Sequence, residues 1–390
     1  MGTAAASGAT SPAAPSGGRS VVHTRLDSLT GLRWFAALAV FGFHALPLLH
    51  AVPGANLNGT YAAAASGVSF FFILSGFVLA WNWVPGGSAG PFWRNRFARI
   101  WPLHAVTWLA ATFILAPALL RLANVTALVS APHLLALAFG QAWVPSQHWY
   151  FAGNVVAWSL SCEAFFYLCF PLVVAVVMRS RRPWTLLAAA VAAAFAVAGI
   201  GSLLSFSLGQ WWGYYFPPAR LPEFVAGVVL ARLVRDGRWP NVPVIPVLAL
   251  GLASVFAARW LPWSLLYAAG TMIPLAAVVA SVAVADRRAG PGLLGSRVLV
   301  RLGEISFAFY LVHQLVIKQL LTPLHLKGVE GGRDTALAAG LLLASVVVAW
   351  ALNVVVERPA QRWLRSPARV RDPHDLPLSA SAAEATAPAG

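Results

Sequence analysis

Arg33 and His44 stand eleven residues apart in an apolar run from Leu26 to His50. At about 100° per residue, eleven steps close nearly three turns, so both side chains share one helix face, roughly 16 Å apart along the axis. A charge inside hydrocarbon costs at least ~2.5–3.5 kcal/mol on insertion scales, so an Arg aligned with a His there points to a protein interior or a wet cavity. The chemistry open to a neutral His in such a place is proton abstraction as a general base, and the group that commonly orients it is a carboxylate. Glu163, about two turns into the run Trp158-Ser-Leu-Ser-Cys-Glu-Ala-Phe-Phe-Tyr167, is a candidate for that role. Arg96 and Arg99, in Arg94-Asn-Arg96-Phe-Ala-Arg99, face one way on a helix and are suited to gripping phosphates together.

Plainer accounts exist for each of these groups. Glu163 equally fits a buried partner that holds an Arg and fixes helix register. Arg96 and Arg99 equally serve as charges that set membrane topology. Arg220 and Glu223, three apart in Pro218-Ala-Arg-Leu-Pro-Glu223, are most simply an ion pair with each other, with a place in a cavity wall as the alternative. His313, near the middle of the run Glu304 to Gln314, is most simply a hydrogen-bonded helix-packing residue. Cys162 and Cys169 lie seven apart in one apolar run, where a single helix cannot join them, and a buried thiol is inert unless its pKa is lowered. No metal-ligand spacing, phosphate loop, GxSxG elbow or dinucleotide fingerprint occurs in a usable context, so no metal site is expected.

The elements that must position these side chains are transmembrane helices. Only 10% of the 390 residues are charged and 59% are hydrophobic, with a mean hydropathy of +0.72, whereas soluble domains carry about 25% charged residues. Apolar segments of spanning length occur at 29–50, 67–84, 101–120, 157–178, 184–205, 219–236, 241–258, 263–285, 302–321 and 335–356. The net charge of +15 is almost entirely arginine, clustered between these segments, which reads as a topology signal and not as a nucleic-acid footprint. Loops 51–66, 144–156 and 206–218 carry no Lys, Arg, Asp or Glu, so they face outward and both termini face the cytoplasm. This alternation leaves no crossing for the shorter stretch 128–143, which is expected to be re-entrant or interfacial. The fold expected is all-α, a polytopic bundle of about ten spans plus that segment. It covers residues 26–365, between tails 1–25 and 366–390 whose composition predicts disorder.

In this order the motifs resemble the membrane-bound acyltransferase 3 family, which includes bacterial O-acetyltransferases of surface polysaccharides and acyltransferases of macrolide antibiotics. The matching features are Arg33 and His44, the run Gly67 to Phe77 with Ser75-Gly76, Arg96-x-x-Arg99, Trp158-Ser-Leu-Ser161-x-Glu163, Arg220-x-Pro-Glu223, Tyr310-Leu-x-His313 and Glu357-Arg-Pro359. Departures are Ala164 and Phe165, where members often carry a further acid or Gln, and Gln314-Leu315, where they often carry Pro.

The resemblance implies an integral enzyme of the bacterial plasma membrane. It would move an acyl group from acyl-CoA, acetyl or longer, to a hydroxyl of a surface glycan or a glycosylated metabolite, with no bound cofactor. His44 would act as base, Glu163 would orient it, and Arg33 would meet CoA or the oxyanion. Arg96 and Arg99 would hold CoA phosphates, and Ser75, Trp158, Ser161, Arg220, Glu223, Tyr310 and His313 would line the cavity. A transporter or flippase would use the same intramembrane polar groups for its substrate path, and is the competing class.

Overall fold

In lipid a backbone must satisfy its own N–H and C=O groups, and a helix does this within one segment. The structure, a computed structural model, describes residues 25–49, 57–113, 130–266, 268–321 and 332–365, and among them the chain is helical without a strand. A helix lies at each of the ten apolar segments. They are α1 (Asp27–Leu49), α2 (Leu57–Trp81), α3 (Ala89–Phe113), α5 (Trp158–Arg179), α6 (Pro183–Ser202), α7 (Pro217–Arg235), α8 (Val244–Ala257), α9 (Ala269–Ala289), α10 (Arg297–Leu321) and α11 (Gly332–Leu352). Between α3 and α5 lies α4 (Ala131–Leu137), and α11 leads through a π turn, Asn353–Glu357, into α12 (Arg358–Leu364).

Among the described residues five helical stretches are long and apolar enough to cross a bilayer: Val155–Arg179, Pro183–Ser202, Trp263–Ala289, Arg297–Leu320 and Ala336–Leu364. The chain is a multi-pass membrane protein. Helices α3 and α7 fall outside that set because each carries arginines in its own length, Arg94, Arg96 and Arg99 in one and Arg220, Arg232 and Arg235 in the other. Helix α3 also starts at Ala89, well before its apolar stretch, with Pro91 in the first turn where its missing N–H costs nothing. Arg96 and Arg99 therefore sit on the helix itself. The described part of the 128–143 stretch holds the seven-residue α4, roughly 10 Å long and too short to cross, then a turn at Phe139 with φ of 62° and a single 3-10 turn, Gln141–Trp143.

Helix α7 tolerates its charges because protein surrounds it. It packs on α2, α5, α6 and α9, and its residues from Ala226 to Ala231 are buried. The crossing with α2 is backbone on backbone: a Cβ on Gly76 would stand 2.0 Å from the Phe224 carbonyl oxygen, and one on Gly227 would stand 1.9 Å from that of Ile73. Any side chain at either position would force the two helices apart.

Helix α1 lies between α2 and α10, and its start is pinned by α9, whose Asp286 carboxylate accepts the Ser28 backbone N–H at 2.9 Å. The opposite charge serves the opposite helix ends. Arg235 donates to the carbonyls of Ala80 at 3.0 Å and Trp83 at 3.3 Å at the end of α2. Arg232 donates to Val177 at the end of α5, and Arg287 to Val234 at the end of α7. These arginines satisfy last-turn carbonyls that a helix leaves open, where the helix dipole also favours a cation.

Candidate active site

A cavity of about 400 Å³ opens among α1, α2, α3, α5 and α10. Each wall is one face of a helix, selected by the 3.6-residue period. Helix α5 contributes Ser159, Leu160, Glu163 and Tyr167, a stripe at i, i+1, i+4 and i+8. Helix α2 contributes Val68, Phe71, Phe72, Ser75, Val78 and Leu79, with Asn82 just past its end, and α10 contributes Ser306, Phe307 and Tyr310. Arg33 from α1 and Arg96 and Arg99 from α3 gather at the end near Asn82 and Tyr167. The cavity thus has apolar walls, a cationic end, and the hydroxyls of Ser159 and Tyr310, 2.9 Å apart, at the end away from the arginines.

The cationic end is electrostatically unfinished. Arg33 makes no hydrogen bond or ion pair with a described residue, although it lines the cavity. Arg96 lies over the rings of Tyr167 and Phe92 at 5.9 and 6.0 Å, and its buried Nε has no hydrogen-bond partner among the described residues. Glu163 accepts the Tyr167 hydroxyl hydrogen bond, and Trp93 ties α3 to α5 by donating to the Tyr167 carbonyl at 2.9 Å. Three guanidiniums and one carboxylate around a void favour an anion.

His44 and His313 lie outside the lining of this cavity, beyond its Tyr310 end: His313 is one turn past Tyr310 on α10, with the two rings 6.0 Å apart. The two imidazoles meet, His44 Nδ1 to His313 Nε2, at 3.0 Å. Their protons can be assigned from the hydrogen-bond network. The Phe309 carbonyl, 3.2 Å from His313 Nδ1, only accepts, so that nitrogen carries the proton and Nε2 is the acceptor. His44 Nδ1 is then the donor, shared between His313 and the Val40 carbonyl at 3.0 Å. What remains is the lone pair on His44 Nε2, which has no hydrogen-bond partner among the described residues, the state a general base requires.

The sequence reading is redistributed by this geometry. Arg33, Arg96, Arg99, Glu163, Ser75 and Tyr310 share the cavity. Glu163 makes no hydrogen bond to His44 among the described residues, and the group at His44 Nδ1 is His313. Trp158, Ser161, Arg220 and Glu223, expected in the cavity wall, do not line it. Trp158 packs against Tyr214, tilted, and Tyr215, edge-on, with ring centroids 4.7 and 4.8 Å away. Ser161 holds the turn after α4, donating to the Phe139 carbonyl and accepting the Ala142 N–H at 3.4 Å. Arg220 and Glu223 pair with each other, the simpler of the two accounts, with Nε to Oε2 at 2.8 Å. Polar lining residues missed include Ser159 and Tyr167. Their signal was present, since they stand four before and four after Glu163 and so must share its face.

The profile of the acyltransferase-domain family matches residues 26–354. The chain is 38% identical over 366 residues to "Acyltransferase MdmB" of Streptomyces mycarofaciens, covering 87% of this chain and 92% of that one. It is 28% identical to "Nodulation protein 10" of Rhizobium leguminosarum bv. viciae, over 74% of this chain and 82% of the other. It is 29% identical to "Exopolysaccharide production protein ExoZ" of Rhizobium meliloti, over 81% and 94%. No solved structure matches. The chain therefore belongs to the acyltransferase 3 family of membrane O-acyltransferases.

Proposed function

We propose that the protein transfers an acyl group from acyl-CoA to a hydroxyl of a sugar-containing acceptor, a surface glycan or a glycosylated metabolite of the macrolide kind, with His44 as general base. The observation that carries this reading is the His44–His313 contact of 3.0 Å beyond one end of a cavity whose other end gathers Arg33, Arg96 and Arg99. The relatives' names support both halves, one an acyltransferase and one an exopolysaccharide production protein.

The donor approaches from the cytoplasm. Its phosphates meet the three arginines through charge-assisted hydrogen bonds, and its extended pantetheine arm runs along the apolar walls toward Ser159 and Tyr310. Arg33, roughly 16 Å from His44 along α1, serves the phosphates and is too distant for the oxyanion. Neutral His44 takes the proton of the acceptor hydroxyl on Nε2, the oxygen attacks the thioester carbonyl, and the carbon–sulfur bond breaks. The CoA thiolate leaves and recovers the proton from His44. Tyr310 donates its hydroxyl hydrogen bond to the Val156 carbonyl at 3.0 Å, so Ser159 beside it is the hydroxyl that can turn to donate to a carbonyl held there. His313 acts through His44, fixing its tautomer and ring plane. The chain crosses the bilayer about ten times with both termini in the cytoplasm, and the α4 region stays at the outer interface.

Purified His44→Ala protein should lose transfer by about 10³-fold, read as free CoA released in the presence of acceptor, and near-normal turnover would overturn the assignment. His313→Gln should lower kcat by about tenfold to 10²-fold and leave both KM values unchanged, because His44 stays present but unaligned.

A further inference from the structure

Of the three cavity arginines, Arg99 is the one with a carboxylate within ion-pair range among the described residues; Glu357 attracts Arg33 as well, from farther off. Its Nη1 lies 3.9 Å from Oε1 of Glu357, and the two side chains are 24% and 3% exposed. Both carboxylate oxygens of Glu357 are already fixed: Asn353 donates Nδ2 to Oε2 at 2.9 Å, and Gln361 donates Nε2 to Oε1 at 3.0 Å. The separation of 3.9 Å exceeds hydrogen-bond range, so Glu357 attracts the guanidinium without consuming its N–H donors. Those donors stay available at the cavity.

The backbone supports the arrangement. Glu357 closes the π turn Asn353–Glu357 between α11 and α12, a local widening that shifts the following side chains relative to a continuous α-helix and that recurs at functional sites. Arg358 next to it turns away to Glu304, 3.8 Å off, so the adjacent charges point to different tasks. A long arginine side chain beside two other guanidiniums is driven out by like-charge repulsion and by rotamer entropy unless something opposes both.

We infer that Glu357 is a positioning residue for donor binding: fixed by Asn353 and Gln361, it holds Arg99 over the cavity with its N–H groups unspent, ready for a phosphate of the acyl-CoA. The inference rests on the donor reading proposed above. It assigns Glu357 an effect on the donor's KM that travels mainly through Arg99, the cavity arginine within ion-pair range of it.

A double-mutant cycle on the full-length protein in detergent or nanodiscs tests this, with acetyl-CoA as varied substrate. Glu357→Gln should raise the acetyl-CoA KM about tenfold, the loss of one oriented charge-assisted hydrogen bond, with kcat and acceptor KM unchanged. Arg99→Ala should raise the same KM, and Glu357→Gln on top of it should add much less than it does alone, its remaining path being the longer-range attraction on Arg33. Multiplicative losses would make Glu357 a merely structural group and overturn the inference while the donor reading stands. An Arg99→Ala protein with unchanged acetyl-CoA KM would remove the donor reading at this arginine, and the inference with it. If Glu357→Gln does not yield monodisperse protein, Gln361→Leu decides. It frees one carboxylate oxygen and keeps the charge, and should raise the acetyl-CoA KM about threefold, again mainly where Arg99 is present. No change in that KM would overturn the inference.

Discussion

Arg220 with Glu223 on α7, and Arg33, Arg96 and Arg99 with Glu163 around the cavity, use the same side-chain chemistry inside one bundle to opposite ends. The first pair is closed. Its Nε–Oε2 and Nη2–Oε1 distances are 2.8 and 3.3 Å, Nη2 also donates to Ser69 at 3.1 Å, and the guanidinium lies between the rings of Phe72 and Tyr214. Exposure is 0% and 1%. The second set is open: Arg33 and Arg96 have no ion pair among the described residues, Arg99 is faced by Glu357 only at long range, and all three border a void. A buried charge with its donors matched by the protein fixes a structure. One whose donors are left over is matched by something that binds.

The comparison breaks most visibly at the closed pair. Arg220→Met leaves Glu223 buried without its cation, and removal of one partner from a buried pair costs about 3–5 kcal/mol. The expected outcome is a large fall in the yield of monodisperse protein and in Tm. Arg220→Met with Glu223→Leu, which removes both charges and keeps the volume apolar, should recover most of that loss. A single variant of normal Tm would mean that the pair is not structural, and the contrast between the two sets would collapse.

The open set should respond the other way. Arg96→Ala with Arg33→Ala should raise the acyl-CoA KM by about 10- to 100-fold, the range of one or two charge-assisted hydrogen bonds, and should leave Tm unchanged or higher, because the free protein loses cations that it does not itself pair. The KM effect should shrink as salt rises, since bound phosphates are then screened. A fall in Tm comparable to that of Arg220→Met would place these arginines with the closed pair.

What the sequence made legible follows from this division. Hydropathy located the ten helices, and helical period put Arg33 and His44 on one face. It equally put Ser159, Glu163 and Tyr167 on one face, a stripe that the motif around Trp158 obscured because it groups neighbours in sequence. What a face meets across the bundle is not periodic information. His44 and His313 are 269 residues apart, and Glu357 reaches Arg99 across 258 positions, so both contacts had to come from the packing of α1 on α10 and of α12 on α3. Glu163, the carboxylate inside the Trp158 motif, was the natural choice to orient His44, yet its helix directs it at Tyr167 and the cavity.

Ser159 and Ser161 give the finest version of the same contrast, two hydroxyls on α5 two residues apart. Two residues are about 200° around a helix, so one faces the cavity and the other the turn at Phe139. Ser159→Ala removes a donor from the end of the cavity beside Tyr310 and should lower kcat by several-fold with little change in Tm, because Tyr310 keeps its own bond to the Val156 carbonyl at 3.0 Å. Ser161→Ala should do the reverse. It strips the partner from Phe139, whose left-handed backbone has no glycine to ease it, and should cost about 1 kcal/mol, the net worth of one buried hydrogen bond, with kcat and both KM values unchanged. Should Ser161→Ala instead lower kcat with Tm intact, the turn after α4 would belong to the reacting end of the molecule, and the division between groups that hold the fold and groups that serve the cavity would have to be redrawn along α5.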